Sequence, residues 1–171
     1  REHQDRFADK STYSMDWYYP VLGGALRGAA AFDRIADRWD DFVVPGLGIH
    51  CVDTNPWVTG AETCELAMAL DAIGDHERAL ALVRDMQHLR EHDGRYWTGW
   101  VYDTGRTDEP SDVYWPHEHT TYTAAAVVLA VDALGETHGH ATPGSGIMRG
   151  TSLAPHFAEI ALECGCESVR S

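Results

Sequence analysis

Glu62 and Glu65 stand three residues apart in the run Asp53 to Glu65 (DTNPWVTGAETCE), a spacing that sets both carboxyl groups on one face of a helix near its N-terminal end. The positive end of the helix dipole is expected to lower both pKa values, which suits a nucleophile, a general base or a cation stabiliser better than a general acid. The plain alternative is that both acids only favour the helix start. Asp112 to Tyr122 (DVYWPHEHTTY) is denser in chemistry still. Its His117-Glu118-His119 run offers an acid/base group beside a neighbour that could hold its tautomer or shift its pKa. His117 and His119 do not have the HExxH spacing, so a zinc site would need Asp53 or Cys64 brought in from elsewhere.

A third group, Asp16-Trp17-Tyr18-Tyr19-Pro20, sets an acid beside three aromatics, as in a sugar platform or a cation-stabilising wall. Packing between helices explains such aromatics equally well, and N-capping is the simplest role for Asp16. From these runs the catalytic candidates are Asp16, Glu62, Glu118, His117 and His119. Trp17, Tyr18, Trp57, Glu65, Trp97, Trp115 and Tyr122 are the candidates for shaping a substrate cavity. The segment Gln87 to Trp97 reads as a structural brace, with the Gln amide capping turn backbone groups and the Trp packed over it. No residue is assigned as a metal ligand.

The elements that must position these residues read as helices joined by aromatic loops, with little β alternation outside a short run at Tyr96 to Tyr102. Gly28 to Val43 places Phe32, Ile35, Trp39 and Phe42 on one stripe. Ala61 to Ile73 is an Ala/Leu/Met helix closed by Gly74. Asp75 then reads as the N-cap of a helix from His76 to Leu89, with Leu80, Val83, Met86 and Gln87 inward. Thr120 to Leu134 is apolar on nearly every side, the pattern of a helix buried on more than one face. An internal echo of about 61 residues matches Asp71-Ala72-Ile73-Gly74 to Asp132-Ala133-Leu134-Gly135, and sets the Trp57 loop beside the Trp115 loop. Such an echo suggests successive inner helices of an all-α, (α/α) toroid entered from one rim. The division expected is a helical-hairpin segment over residues 1–135 and a Gly/His/Pro-containing linker and tail over 136–171, with one last helix at Leu153 to Cys164.

Composition narrows the partners. The 171 residues are 44% hydrophobic, enough for a real core, and the formal net charge of -14 disfavours nucleic acid and anionic membrane surfaces. The same charge weighs against a diphosphate substrate unless a metal ion such as Mg or Zn, or further protein, supplies a positive field. No apolar stretch approaches the roughly 20 residues that span a bilayer. Four cysteines without CxxC spacing fit a reducing cytoplasm. A start at Arg1 in a polar run suggests a missing upstream half.

The Gln87 to Trp97 segment resembles the QW-type repeat of the squalene cyclase and protein prenyltransferase toroids. Tyr13 to Gly24 (YSMDWYYPVLGG), Phe42 to Val52 (FVVPGLGIHCV), Asn55 to Leu66 (NPWVTGAETCEL) and Gln87 to Trp100 resemble the C-terminal half of actinobacterial proteins labelled prenyltransferase. The resemblance covers Asp9 to Gly135. It implies an isoprenoid substrate in an aromatic-lined, carboxylate-containing cavity, where aromatic faces stabilise a carbocation. Two features depart from it: Trp39-Asp40-Asp41 is not the cyclases' acid motif, and Asp53, Cys64 and His117 or His119 do not have the zinc spacing of the protein prenyltransferases. The same architecture is similar to the six-hairpin glycosidases, whose paired acids and Trp platforms act on sugars. A toroid that binds without catalysis is the third reading.

Overall fold

The computed structural model describes residues 8–102 and 111–135, and the expected tail with its helix at Leu153 to Cys164 lies outside them. Three helical segments come first: α1 (Ser14–Leu22), α2 (Ala29–Asp37) and the single turn α3 (Trp39–Phe42). Strands β1 (Val43–Val44), β2 (Gly48–His50) and β3 (Trp57–Thr59) follow. A helical hairpin of α4 (Gly60–Ala72) and α5 (His76–Asp85) ends in a 3-10 turn at Met86–Leu89, and the chain closes with β4 (Gly99–Val101), β5 (Val113–Tyr114) and α6 (Thr121–Leu134).

The strands form one antiparallel sheet in the order β1-β2-β3-β4-β5, so the expectation of an all-α (α/α) toroid does not hold. The architecture is mixed, with helices packed on a small sheet. Strands of two or three residues carry too few positions to display an alternating pattern, which is why they read as loops. Their residues are nevertheless those that suit a pleated, half-buried surface: Val43, Val44, Ile49, Trp57, Val58 and Thr59.

Gly28 to Val43 also breaks where one helix was expected. Arg38 leaves helical geometry at φ -129°, ψ 20°, ending α2 before α3 begins. The guanidinium there binds Asp53 at 2.7 Å and Asp41 at 2.9 Å and lies over the Phe42 ring. Ile35 and Phe42 are buried, whereas Phe32 faces outward. Asp75 does cap α5, its carboxylate accepting the Arg78 backbone N–H, and Thr120 caps α6 by accepting from the Thr123 N–H.

Helix α4 is the centre of the fold. It packs against α1, α5 and α6 and is buried on almost every side. Leu66 and Leu70 face a cluster with Tyr18, Val21, Ile35 and Phe42, while Cys64 and Met68 face one with Met86, Leu89, Ala126 and Ala130. Each fully buried Leu or Phe contributes about 1.5–3 kcal/mol. Tyr18 of α1 meets Glu65 of α4, and Thr123 of α6 packs against Gly60 at the start of α4. Gly60 permits the approach of α6, because a Cβ there would lie 3.1 Å from the Thr123 methyl.

The sheet fixes where α4 begins. β3 passes directly into α4 at Thr59–Gly60. The Thr63 hydroxyl accepts the Ile49 N–H at 3.0 Å and donates to the Thr59 carbonyl at 2.6 Å, tying the first turn of α4 to β2 and β3. Helix α6 keeps an outward apolar strip at Val128 and Val131 among the described residues, rather than burial on every face. No helix among the described residues is long and apolar enough to cross a membrane.

Candidate active site

Helices α4, α1 and α6 bring Glu62, Glu65, Tyr18 and Tyr122 to one place. Glu65 sits between the two phenols: Tyr18 donates to its Oε2 at 2.5 Å and Tyr122 to its Oε1 at 2.7 Å. Tyr18 is fully buried, and Tyr122 is half exposed at the mouth of the cluster. Burial, and next the Glu65 charge for Tyr18 and the Glu65 hydrogen bond for Tyr122, push both phenols far above their ordinary range, so they remain donors.

Glu62 lies one turn earlier on the same side of α4 and keeps only 8% of its surface exposed. Burial raises its pKa above the ordinary glutamate value, and the nearby Glu65 charge adds to the rise. The Thr59 side chain, the residue's own backbone N–H and the Cys51 thiol act in the opposite direction without cancelling it. The helix-dipole expectation for Glu62 is therefore reversed. A helix end is worth about 0.3–1 kcal/mol at an exposed site, whereas burial of a carboxylate can move its pKa by several units. A carboxyl with a raised pKa suits a proton donor better than a nucleophile.

Asp16 stands apart from this pair. Its carboxylate points to Arg34 at 3.6 Å and lines an open concavity of about 710 Å³ with Lys10, Tyr13, Met15, Tyr19 and Pro20. Tyr19 borders both places, because its phenol also senses the Glu65 charge and Tyr122. Trp17 is given over to the core: it stacks on Phe42 at 5.2 Å, and its indole N–H donates to the Arg34 carbonyl at 2.7 Å.

His117, Glu118 and His119 gather around Trp97 on the β4–β5 side, and no hydrogen bond or ion pair joins them to Glu62 or Glu65 among the described residues. His119 packs 3.9 Å from the Trp97 ring and His117 4.7 Å, while Tyr114 stacks on Trp97 at 4.7 Å. His119 Nε2 lies 4.0 Å from Glu91. Glu118 is exposed and uses its backbone carbonyl to accept the Thr98 N–H at 3.2 Å. Trp57 and Trp115 meet beside this patch, and Trp115 remains 54% exposed. Trp57 and Thr59 alternate with Val58 along β3, so they project from one face of the sheet and connect the aromatic shelf to the side chain next to Glu62. Gln87 does brace this segment, its amide N–H donating to the Val83 backbone carbonyl at 2.7 Å and its amide oxygen accepting the Tyr96 hydroxyl at 3.0 Å.

No group of three or more His, Cys, Asp and Glu side chains placed to hold a metal ion occurs among the described residues. Asp53 is occupied by Arg38, and Cys64 is buried against Met86. Tyr19 and Cys51 belong to the carboxyl cluster but were not singled out as site residues. Tyr19 had a signal in the Asp16 to Pro20 run, whereas Cys51 reaches Glu62 only through the β2–β3 pairing.

No protein-family model matches the chain. Over 165 residues, 96% of its length, the chain is 59% identical to the MMP endo-(1,4)-3-O-methyl-alpha-D-mannosidase of Mycolicibacterium hassiacum. The match spans 43% of that protein. A relative this similar is named for cleaving sugars, which overturns the prenyltransferase and terpenoid-cyclase resemblance together with the isoprenoid substrate it implied; the glycosidase alternative agrees with it better.

Proposed function

We propose that this chain carries the proton-donating part of a glycoside hydrolase site that cuts inside a (1,4)-linked, 3-O-methylated α-mannose polysaccharide. The observation that carries the reading is Glu62, a buried carboxyl whose pKa is raised by that burial, beside the Tyr-held carboxylate of Glu65. Glycosidic cleavage needs an acid to protonate the departing oxygen and a negative charge to stabilise the oxocarbenium-like transition state. Glu62 supplies the proton, and Glu65 supplies the charge. The activity for which the relative is named supports the same chemistry, and the acidic chain suits a neutral polysaccharide.

The aromatic shelf fits the other half of the task. Trp115, which is 54% exposed and meets Trp57 edge to face, offers a flat apolar face to the C–H faces of sugar rings and to O-methyl groups, while Tyr122 stands at the mouth of the carboxyl pair.

The test is hydrolysis of defined 3-O-methylated α-(1,4)-mannan oligosaccharides by the full-length protein, with products sized by mass spectrometry. Internal cuts are expected, and Glu62→Gln is expected to slow them by about 10²–10⁴-fold. Wild-type rates in that variant, or no hydrolysis by the folded wild-type protein, would overturn the reading.

A further inference from the structure

Tyr18 comes from α1 and Tyr122 from α6, and their hydroxyls meet opposite oxygens of a single carboxylate on α4, at 2.5 and 2.7 Å. A carboxylate bridged in this way cannot turn about its last torsion without breaking one of the bonds. We infer that Tyr18 and Tyr122 are a pair of positioning residues that fix Glu65 as a localised negative charge on the face of α4 it shares with Glu62. This rests on the reading of Glu62 as the proton donor, and goes beyond it by naming what holds the neighbouring charge in place.

Burial is the first cause of the raised Glu62 pKa, and Glu65 is the charged neighbour that adds to it. Glu62 is faced by Glu65 from its own helix, by Tyr18 and Tyr19 from α1, by Tyr122 from α6, by Cys51 after β2 and by Thr59 at the end of β3. None of these groups is a cation, and the phenols and the thiol are all pushed towards their neutral forms. Glu65 is thus the one full charge in the set, and its orientation governs the potential at Glu62. Packing alone does not account for the tyrosine hydroxyls. Tyr122 is 48% exposed, yet its hydroxyl is spent on Glu65 rather than on water.

The substitutions that test this are Tyr122→Phe, Tyr18→Phe and Glu65→Gln. Removing a phenol donor lets Glu65 turn away, which weakens the negative potential at Glu62. Glu62 should then lose its proton at lower pH. Two readouts are needed: carboxyl ¹³C NMR titration of Glu62 in the full chain, and the pH–rate profile on the oligosaccharides above.

In Tyr122→Phe, the Glu62 midpoint and the alkaline limb of the profile should move down together, with kcat falling roughly 10-fold and KM staying within about twofold. Glu65→Gln should move the midpoint further in the same direction. Tyr122 is half exposed, so its variant keeps the proposal testable if the buried Tyr18→Phe variant fails to fold. An unchanged Glu62 midpoint in both Tyr122→Phe and Glu65→Gln would overturn the inference even if activity falls. A shifted midpoint in a protein that cuts no sugar would leave the positioning pair standing and remove the glycosidase reading instead.

Discussion

The Trp57 indole N–H donates to the Trp115 carbonyl oxygen at 2.7 Å, and the two rings meet edge to face with centroids 4.9 Å apart. The bond ties β3 to the chain immediately after β5, and it uses the side chain of one residue but only the backbone of the other. Trp57→Phe should therefore cost about 1–2 kcal/mol in urea unfolding, because it leaves the carbonyl without its donor. Trp115→Ala keeps the carbonyl and should cost less than about 1 kcal/mol, yet weaken oligosaccharide binding by about 10-fold in calorimetry. Equal stability losses in the two variants would contradict this division of labour.

The raised pKa of Glu62 makes a statement about stability. The folded state holds the proton more tightly than the unfolded chain, whose ordinary value is 4.5. Glu62 thus contributes fully below that value, and the contribution is lost as pH rises through the folded-state pKa. Glu62→Gln removes this titration, so the variant should gain on wild type in urea midpoint between pH 4.5 and neutrality. A constant difference across that window would argue that Glu62 ionises normally.

Gly99 pairs with Thr59 in the sheet, and a Cβ there would lie 2.4 Å from the Trp57 indole nitrogen and 2.6 Å from the Val58 carbonyl oxygen. The second contact is with backbone and cannot swing aside. Gly99→Ala should destabilise the chain by about 2–3 kcal/mol, read as a lower urea midpoint with an unchanged slope. It should also lower activity more than its stability loss explains, because β3 carries α4.

Cys51 is half buried beside Glu62, and burial, with the Glu62 charge next, pushes its thiol up to about 12. Iodoacetamide should modify it slowly at neutral pH in the native protein. Rapid alkylation of the wild type at Cys51, located by peptide mapping, would show that the pocket around Glu62 is open to solvent.

Much of the helical frame was legible from residue pattern. The Ala/Leu/Met run of α4, the Asp75 cap of α5 and the apolar run of α6 announce their elements, and the Glu62–Glu65 spacing announces a shared face. The sheet was not legible, because Trp57-Val58-Thr59 and its partners are too short to alternate. That omission favoured an all-helical architecture, and the resemblance then pointed to isoprenoid chemistry. Trp17 and Tyr18 show a further limit. They are adjacent aromatics at a helix start, yet one stacks on Phe42 in the core and the other reaches Glu65. Only the packing of α1 on α4 decides which is which. The direction of the Glu62 pKa shift was not legible for the same reason, since the helix dipole is visible in a sequence and the depth of a pocket is not.

The absence of any linker between Thr59 and Gly60 has a bearing on the order of folding. The carboxyl pair takes its place only once β3 has joined β2 on one side and β4 on the other, and the second pairing loops out the whole α4–α5 hairpin. Long-range pairing of this kind is entropically costly and slow compared with helix formation. Helical content should therefore recover on refolding before the site does, and an intermediate with native-like helicity would still lack an assembled carboxyl pair.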